Sequence, residues 1–182
     1  MIYRTKTYVA ADFDNDFDAI DQLYNWNEMD YYQKLDFTNV HDFYNSRDDS
    51  LYCSIKKSLS TRMNECRLFI LIVGSKTSSI TKGNCFNCRN YNANMFGLGK
   101  HGCLNGYGLS HKSYIEFECD LAIKNGLKIL VLYNANSINK NLCPEAVKSL
   151  GVHAPMKTLG SYNYAIVRDA YLKALSSKTT QF

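Results

Sequence analysis

Hydrophobic positions along the chain follow two patterns: continuous apolar runs, and apolar residues that recur every four positions. Residues 68–73 and 129–133 are apolar runs of strand length, which predict strands covered on both faces, as in a parallel sheet. Behind the polar pair Asp49 and Ser50, a four-residue repeat predicts an amphipathic helix that carries on one face Leu51, Ile55, Leu59 and Met63.

Weaker patterns place further strands and helices around these elements. We predict strands at 7–13 and 35–40, an edge strand at 156–159, and helices at 17–27, 114–125, 144–150 and 163–175. Strands that alternate with helices indicate an α/β fold with a doubly wound, mainly parallel sheet. The 182 residues are close to the usual size of one domain, so we expect residues 1–182 to form a single unit.

The segment 76–112 interrupts this alternation. It has no apolar period, and its glycines stand among Asn, Ser and Cys: Gly83, Gly97, Gly99, Gly102, Gly106 and Gly108. Loops of this length inside compact domains are usually functional or disordered. We interpret the segment as a long Gly- and Cys-rich insertion before the third helix, and we expect it to form a lid or a wall of a ligand pocket.

Composition and charge narrow the classes of partner. Hydrophobic residues make up 46% of the chain and charged residues 21%, which is ordinary for a globular protein. The net charge of +4 comes without a block of basic residues, so we expect no nucleic-acid partner. No apolar run approaches the roughly 18 residues of a membrane span, and the amino-terminal residues lack the apolar stretch of a signal peptide. We therefore expect no membrane partner and a cytoplasmic location.

The seven cysteines are an odd number, which argues against a secreted disulfide scaffold. Four of them lie in apolar or periodic stretches and are expected in the core: Cys53, Cys66, Cys119 and Cys143. The other three lie in the insertion. There Cys85-x-x-Cys88, Cys103 and either His101 or His111 offer four tetrahedral ligands for a structural zinc ion. Free or disulfide-bonded thiols remain the alternative.

The search for a ligand site starts at the carboxyl ends of the predicted strands, where ligands bind in open parallel sheets. The loops to consider are 12–16, 41–49 and the chain from Gly74 onward. The sequence has neither a G-x-G-x-x-G motif nor a Walker lysine loop, so a bound nucleotide would need another kind of cradle.

The predicted helix 114–125 carries two glutamates in different surroundings. Ser113 and Glu116 have the spacing of a capping box, which gives Glu116 a structural task at the helix start. Glu118 has the spacing of the inward, apolar side, where a carboxylate costs free energy unless something binds it. Two interpretations stay open at this point: Glu118 accepts hydrogen bonds from a neighbouring loop, or it is catalytic.

In their order along the chain, these segments resemble a known family. The strand 68–73, the residues 74–77, the Tyr114-x-x-x-Glu118 motif and the strand 129–133 are similar to TIR-like proteins of bacterial anti-phage defence, particularly the Thoeris TIR component. The resemblance covers most of residues 6–135 and implies a TIR-like or flavodoxin-like sheet. In that family an aromatic-x-x-x-Glu motif opens the third helix, and its glutamate, here Glu118, is needed to cleave the nicotinamide–ribose bond of NAD. Tyr114 stands where the family usually has tryptophan, and the insertion is outside the minimal TIR pattern.

The function that the resemblance implies is that of an NAD glycohydrolase or ADP-ribosyl cyclase. Nicotinamide leaves NAD as a neutral molecule, so one carboxylate can suffice to stabilise the oxocarbenium-like transition state. With water excluded, a hydroxyl of the same molecule closes a cyclic ADP-ribose isomer, whereas water gives ADP-ribose. The cyclic product would be a second messenger that activates a separate effector during phage infection. NAD is then the substrate, no other cofactor is needed, and activation by self-association stays open.

The same resemblance assigns two loops to nucleotide binding, and Tyr114 completes the predicted contacts. Phe13 and Asp14 follow the first strand and would contact base or ribose, with a core plug and a helix cap as their alternative roles. Ser46 and Arg47 lie between the second strand and the second helix, where Arg47 could pair with pyrophosphate or remain a solvated surface residue.

Two other functions stay open. A TIR-like binding or scaffold module would assemble through its loops and helices without chemistry. A nucleoside deoxyribosyltransferase-like enzyme also combines a flavodoxin-like sheet with a glutamate.

Overall fold

A four-stranded parallel sheet lies at the centre of the computed structural model, which describes residues 4–29, 35, 37–40, 51–94, 101–104 and 109–177. In chain order the strands are β1 (Lys6–Ala10), β2 (Cys66–Val73), β3 (Tyr91–Asn92), β4 (Gly102–Cys103), β5 (Lys128–Tyr133), β6 (Val152–Pro155), β7 (Lys157–Thr158) and β8 (Ser161–Tyr162). The central sheet has the order β1-β2-β5-β6, and β3–β4 and β7–β8 form two antiparallel hairpins.

Helices cover both faces of this sheet: α1 (Phe17–Glu28), α2 (Tyr52–Met63), α3 (Tyr114–Lys124) and α4 (Tyr164–Ser176). The buried residues of α1 and α4 pack on one face, and those of α2 and α3 pack on the other. Among the described residues, every helix is too short or too polar to cross a bilayer. The arrangement confirms the predicted α/β class and its parallel sheet, and it is compatible with a doubly wound fold.

The two long apolar runs form β2 and β5, which are the inner strands of the sheet. They pair in parallel along β2 from Leu68 to Val73. Alternate side chains of β2 enter different cores, since Ile70 faces α1 and α4 while Phe69 faces α2 and α3. Burial on both faces explains why these runs show no alternation of polar and apolar residues.

The predicted strand 35–40, of which residue 36 lies outside the described residues, contributes one bridge instead of a paired strand. Thr7 of β1 donates its backbone N–H to Thr38 O (2.8 Å) and accepts the N–H of Val40 (3.2 Å), so this segment lies along the outer edge of β1. The side chain of Asn27 binds both the N–H and the carbonyl of Phe37 (2.8 and 2.9 Å). The backbone of Phe37 is therefore bound by α1 and does not extend the pairing with β1.

Two predictions near the carboxyl terminus are wrong. The fourth strand of the sheet is β6, which ends before the predicted edge strand 156–159. Residues 157–162 instead form the β7–β8 hairpin, whose turn residues Leu159 and Gly160 have φ of 50° and 83°. The predicted helix 144–150 is reduced to a 3₁₀ turn at Glu145–Val147. Both segments are too short for their periodicity to decide between strand, turn and helix.

The loops that follow β1 and β2 form hydrogen-bonded turns. β1 ends at Ala10 and not at the predicted Phe13, because the Asp12 carbonyl accepts the N–H groups of Asn15 and Asp16 and turns the chain into α1. Segment 76–112, for which we keep the name insertion, contains structure that its sequence pattern did not show: 3₁₀ turns at Thr77–Ser79 and Cys85–Asn87, and the β3–β4 hairpin.

Candidate functional site

The carboxyl end of the sheet holds a polar cluster around Asp16, the residue that precedes α1. Asp16 is 2% exposed, and its Oδ1 accepts a hydrogen bond from Nδ2 of Asn134, which follows β5 (3.0 Å). Its Oδ2 has no hydrogen-bond partner among the described residues. Burial is the main cause that raises the pKa of Asp16 above its usual value.

Gly74, directly after β2, makes room for the Asp16 carboxylate. A Cβ atom at Gly74 would lie 1.9 Å from Asp16 Oδ1. The N–H of Gly74 is bound by Oγ1 of Thr77 (2.8 Å), which fixes the chain at this point. The loops after β1, β2 and β5 therefore meet at Asp16, at the end of the sheet where doubly wound folds bind their ligands.

The cluster continues toward the surface through Asp18 in the first turn of α1. Asp18 accepts hydrogen bonds from Asn134 (3.1 Å) and from Tyr162 Oη (2.7 Å), and Lys157 Nζ lies 3.5 Å from its carboxylate. Partial burial opposes the ionisation of Asp18, but the hydrogen bonds from Tyr162 and Asn134 outweigh it and hold the pKa of Asp18 below its usual value. The sequence analysis singled out loop 12–16 but did not connect Asp16, Asp18 and Asn134. The acidic residues after β1 and the Asn after β5 were the signal for this cluster.

Phe13 and Asp14, predicted to contact a nucleotide, lie at the same end of the sheet. Phe13 is 39% exposed and packs edge-on against Phe17, with ring centroids 5.4 Å apart. The carboxylate of Asp14 lies 3.7 Å from Nζ of Lys82, which belongs to the insertion. The insertion thus reaches the loop that follows β1.

Glu118 points inward from α3, as its spacing predicted. It is 6% exposed, and Oη of Tyr8, a fully buried residue in the middle of β1, donates a hydrogen bond to its Oε1 (2.6 Å). Burial raises the pKa of Glu118 from 4.5 to about 7, although the Tyr8 hydrogen bond acts in the opposite direction. Burial and the Glu118 charge raise the pKa of Tyr8 as well, so its hydroxyl stays protonated and remains a donor.

The start of α3 is fixed by its capping box and by the insertion. Ser113 Oγ accepts the N–H of Glu116 (3.2 Å) and the Glu116 carboxylate accepts the N–H of Ser113 (2.8 Å), which confirms the predicted box. Tyr114 donates its backbone N–H to Lys82 O (2.9 Å). Gly83 lies so close that an added Cβ would be 2.7 Å from the Tyr114 ring. The insertion therefore packs against α3 one helical turn before Glu118.

The cysteines of the insertion lie around one small cavity. Cys85, Cys88 and Cys103 line it together with Cys53 of α2, and its volume is about 20 Å³. The structure contains only free thiols at these positions. Among the described residues, no three His, Cys, Asp or Glu side chains are already arranged around a metal position.

The two histidines that were predicted as zinc ligands are held by aromatic rings. The ring of His101 stacks on Tyr91 with centroids 5.6 Å apart, and the ring of His111 stacks on Phe86 with centroids 4.2 Å apart. Neither histidine lines the cysteine cavity. Cys53, which the helix period had assigned to the core, lines it instead and is half-buried, whereas Cys66, Cys119 and Cys143 are buried as predicted.

The structure brings the predicted site residues into two places. Phe13 and Asp14 lie beside the Asp16 cluster at the carboxyl end of the sheet, and Tyr114 and Glu118 lie on α3. Ser46 and Arg47 lie outside the described residues. No protein-family model matches the chain, and a comparison with curated proteins finds no relative.

Proposed function

We propose that the chain is a TIR-like, flavodoxin-like enzyme of anti-phage defence that cleaves the nicotinamide–ribose bond of NAD. The observation that carries this proposal is the buried Glu118 carboxyl with a pKa of about 7, placed on α3 behind the insertion. The fold supports it, because the isolated bridge at Asn39 lies outside β1, on the side where a flavodoxin-like sheet has its second strand.

Glu118 suits the loss of a neutral leaving group. With a pKa of about 7, a large fraction of its carboxyl is ionised at neutral pH, even though it is buried. A negative charge in a low-dielectric site stabilises the positive charge that develops on the ribose as nicotinamide departs. Tyr8 binds Oε1, so Oε2 is the oxygen that we assign to a ribose hydroxyl. Because Glu118 is buried, the side chains around it must move when NAD binds.

The fate of the ribose cation then depends on water. In a closed site a hydroxyl or ring nitrogen of the same molecule attacks the anomeric carbon at high effective concentration and gives a cyclic ADP-ribose isomer. In an open site water attacks and gives ADP-ribose. We assign the cyclic isomer as the product of this chain. This product would activate a separate effector.

Release of nicotinamide from NAD by the purified protein tests the proposal, with the products separated and identified by mass spectrometry. We expect Glu118→Gln to lower the rate at least about 100-fold, because it keeps the shape of the side chain and removes the charge. Glu116→Gln is the matched control on the same helix, since glutamine also completes a capping box. It should keep the parent rate within about twofold.

Two results would contradict the proposal. One is the lack of nicotinamide release by concentrated protein and by protein taken from infected cells. The other is an equal rate for Glu118→Gln and for the parent protein.

A non-catalytic TIR-like binding module is the second candidate, and the Tyr8 hydrogen bond favours it. A carboxyl that is already bound by a buried hydroxyl has a sufficient structural role inside the α2–α3 side of the core. Such a module keeps its assembly and its protection against phage in Glu118→Gln. An enzyme keeps its assembly in this variant but loses protection, so the two candidates give different results in one infection assay.

A further inference from the structure

Four of the seven cysteines come together from three separate parts of the chain. Cys53 lies in the first turn of α2, Cys85 begins a 3₁₀ turn that Cys88 follows, and Cys103 lies in β4. All four line one cavity of about 20 Å³, whose other lining residues are Asn90, Tyr91 and Leu109. A space of this volume holds about one atom of the size of a water oxygen.

The backbone around Cys85 and Cys88 forms a hydrogen-bonded turn. The N–H of Cys88 donates to the carbonyl of Cys85 (3.0 Å), and both residues line the same cavity. The N–H of Ser110 donates to Sγ of Cys85 (3.1 Å), a contact that stabilises a thiolate more than a thiol. In the β3–β4 hairpin, Tyr91 pairs with Cys103, which returns the chain to the neighbourhood of Cys88.

A buried ammonium group lies beside these cysteines. Lys56 is 6% exposed, one helical turn after Cys53, and its Nζ donates to Ser110 Oγ (3.0 Å) and Lys112 O (2.7 Å). Within the described part of the chain, no carboxylate lies within ion-pair distance of this amine. Burial lowers the pKa of Lys56, even though the Glu116 carboxylate attracts the amine from beyond ion-pair distance and the Phe117 ring lies 5.3 Å from its Nζ. Zinc bound by four thiolates has a net charge of about −2 and would add a further negative charge beside this amine.

The insertion also needs a tie to the rest of the molecule. Its apolar side chains Phe86 and Leu104 are 52% and 56% exposed, so they contribute little core. A two-stranded hairpin such as β3–β4 is at best marginally stable on its own. Small segments of this kind are commonly held by a disulfide or by a metal.

We propose that Cys53, Cys85, Cys88 and Cys103 bind one structural zinc ion that fastens the insertion to α2. On binding, each thiol releases its proton to solvent, and the four sulfurs fill the tetrahedral coordination of the metal. The side chains turn inward as this happens, because no three of them surround a metal position in the described structure. No coordination position stays open for water, so the zinc has no part in NAD chemistry.

Elemental analysis of the full chain, purified without chelators, tests this assignment. We expect about one zinc per chain. In the native protein a thiol reagent should find no more than the three core cysteines, and after chelation and unfolding it should find all seven. Replacement of zinc by Co²⁺ should give thiolate-to-cobalt charge-transfer absorption and the visible bands of a tetrahedral site.

Single substitutions identify the ligands. Cys53→Ser, Cys85→Ser and Cys103→Ser should each lose most of the zinc. The matched control is Cys143→Ala, which removes a buried thiol outside the cavity and should keep it. His101→Ala and His111→Ala should also keep the zinc, since their rings stack on Tyr91 and Phe86.

The proposal is overturned if the purified chain contains no zinc and the reduced protein gives no tetrahedral thiolate spectrum with Co²⁺. It is also overturned if Cys53→Ser keeps the zinc while His101→Ala loses it. The metal content and cobalt spectrum of the unsubstituted chain decide the question even if a cysteine variant fails to fold. Neither measurement depends on NAD cleavage.

Discussion

The Glu118 carboxyl makes the stability of the protein depend on pH. Its pKa is about 7 in the folded chain and about 4.5 when exposed, so between these values the folded state holds a proton that the unfolded state has released. The free energy of unfolding therefore falls as pH rises through this window, by at most about 3 kcal/mol. Glu118→Gln carries no such proton, so its stability should fall less from pH 5 to pH 8 in denaturant unfolding.

Tyr8→Phe is the companion variant for this pH dependence. The Tyr8 hydroxyl lowers the pKa of Glu118, so its removal should move the loss of stability to higher pH. If Glu118 acts as the catalytic carboxylate, the rate of nicotinamide release should rise with pH through the same pKa and shift upward in this variant. If the free energies of unfolding of the parent and of Glu118→Gln change in parallel with pH, Glu118 does not titrate in this range.

Gly74 is required by the space that Asp16 occupies. It is not among the described glycines with positive φ, and a Cβ would lie 1.9 Å from the Asp16 carboxylate. We expect Gly74→Ala to lower the free energy of unfolding by about 1–3 kcal/mol, because backbone or carboxylate has to shift. The cost should be smaller in an Asp16→Ala background, which a double-mutant cycle of denaturant unfolding measures.

Gly160→Ala is the control for this cycle. No atom lies within 4 Å of a Cβ built there, although φ is 83°, so its cost comes from backbone strain alone. That cost should be the same in the parent background and in the Asp16→Ala background. An equal cost of Gly74→Ala in both backgrounds would mean that the close approach to Asp16 has no energetic weight.

At the scale of elements, a strong period was enough to predict a strand or helix from the sequence. The apolar runs of β2 and β5 and the four-residue repeat of α2 predicted these elements, because each pattern reflects burial of the element itself. Segment 35–40 has the composition of a strand, but its pairing was decided by the Asn27 side chain, which binds the backbone of Phe37. Such a contact between distant residues leaves no local period.

The candidate site was predictable to the same degree. The spacing along α3 predicted that Glu118 points inward, since this depends only on the helix and its buried side. Its partner Tyr8 was not predictable, because it depends on how β1 lies relative to α3. Asp16 and Asn134 meet for the same reason, through the order of β1, β2 and β5. The period of α2 cannot show that the insertion packs on that helix, so Cys53 was assigned to the core.

At the scale of the whole molecule, the insertion contacts three elements, which are the loop after β1, α2 and α3. Lys82 lies next to Asp14 behind β1 and accepts the N–H of Tyr114 at the start of α3. Ser110 and Lys112 bind the Lys56 amine of α2. A segment with these contacts influences the position of α3, and therefore of Glu118, without adding a strand to the central sheet.

Two residues inside the insertion, Cys85 and Ser110, lie side by side, which allows a clean deletion of the chain between them. The N–H of Cys85 binds the carbonyl of Ser110 (2.9 Å), so two glycines can replace residues 86–109 without pulling on β2 or α3. The central sheet should stay folded, as judged by far-UV circular dichroism and cooperative unfolding, because none of its strands is removed. Nicotinamide release should fall at least about tenfold, or the ratio of cyclic product to ADP-ribose should fall, because the deletion removes most of the segment that we propose as the wall that excludes water. A folded variant that makes the same products at the parent rate would show that the insertion is neither a lid nor a wall of the site.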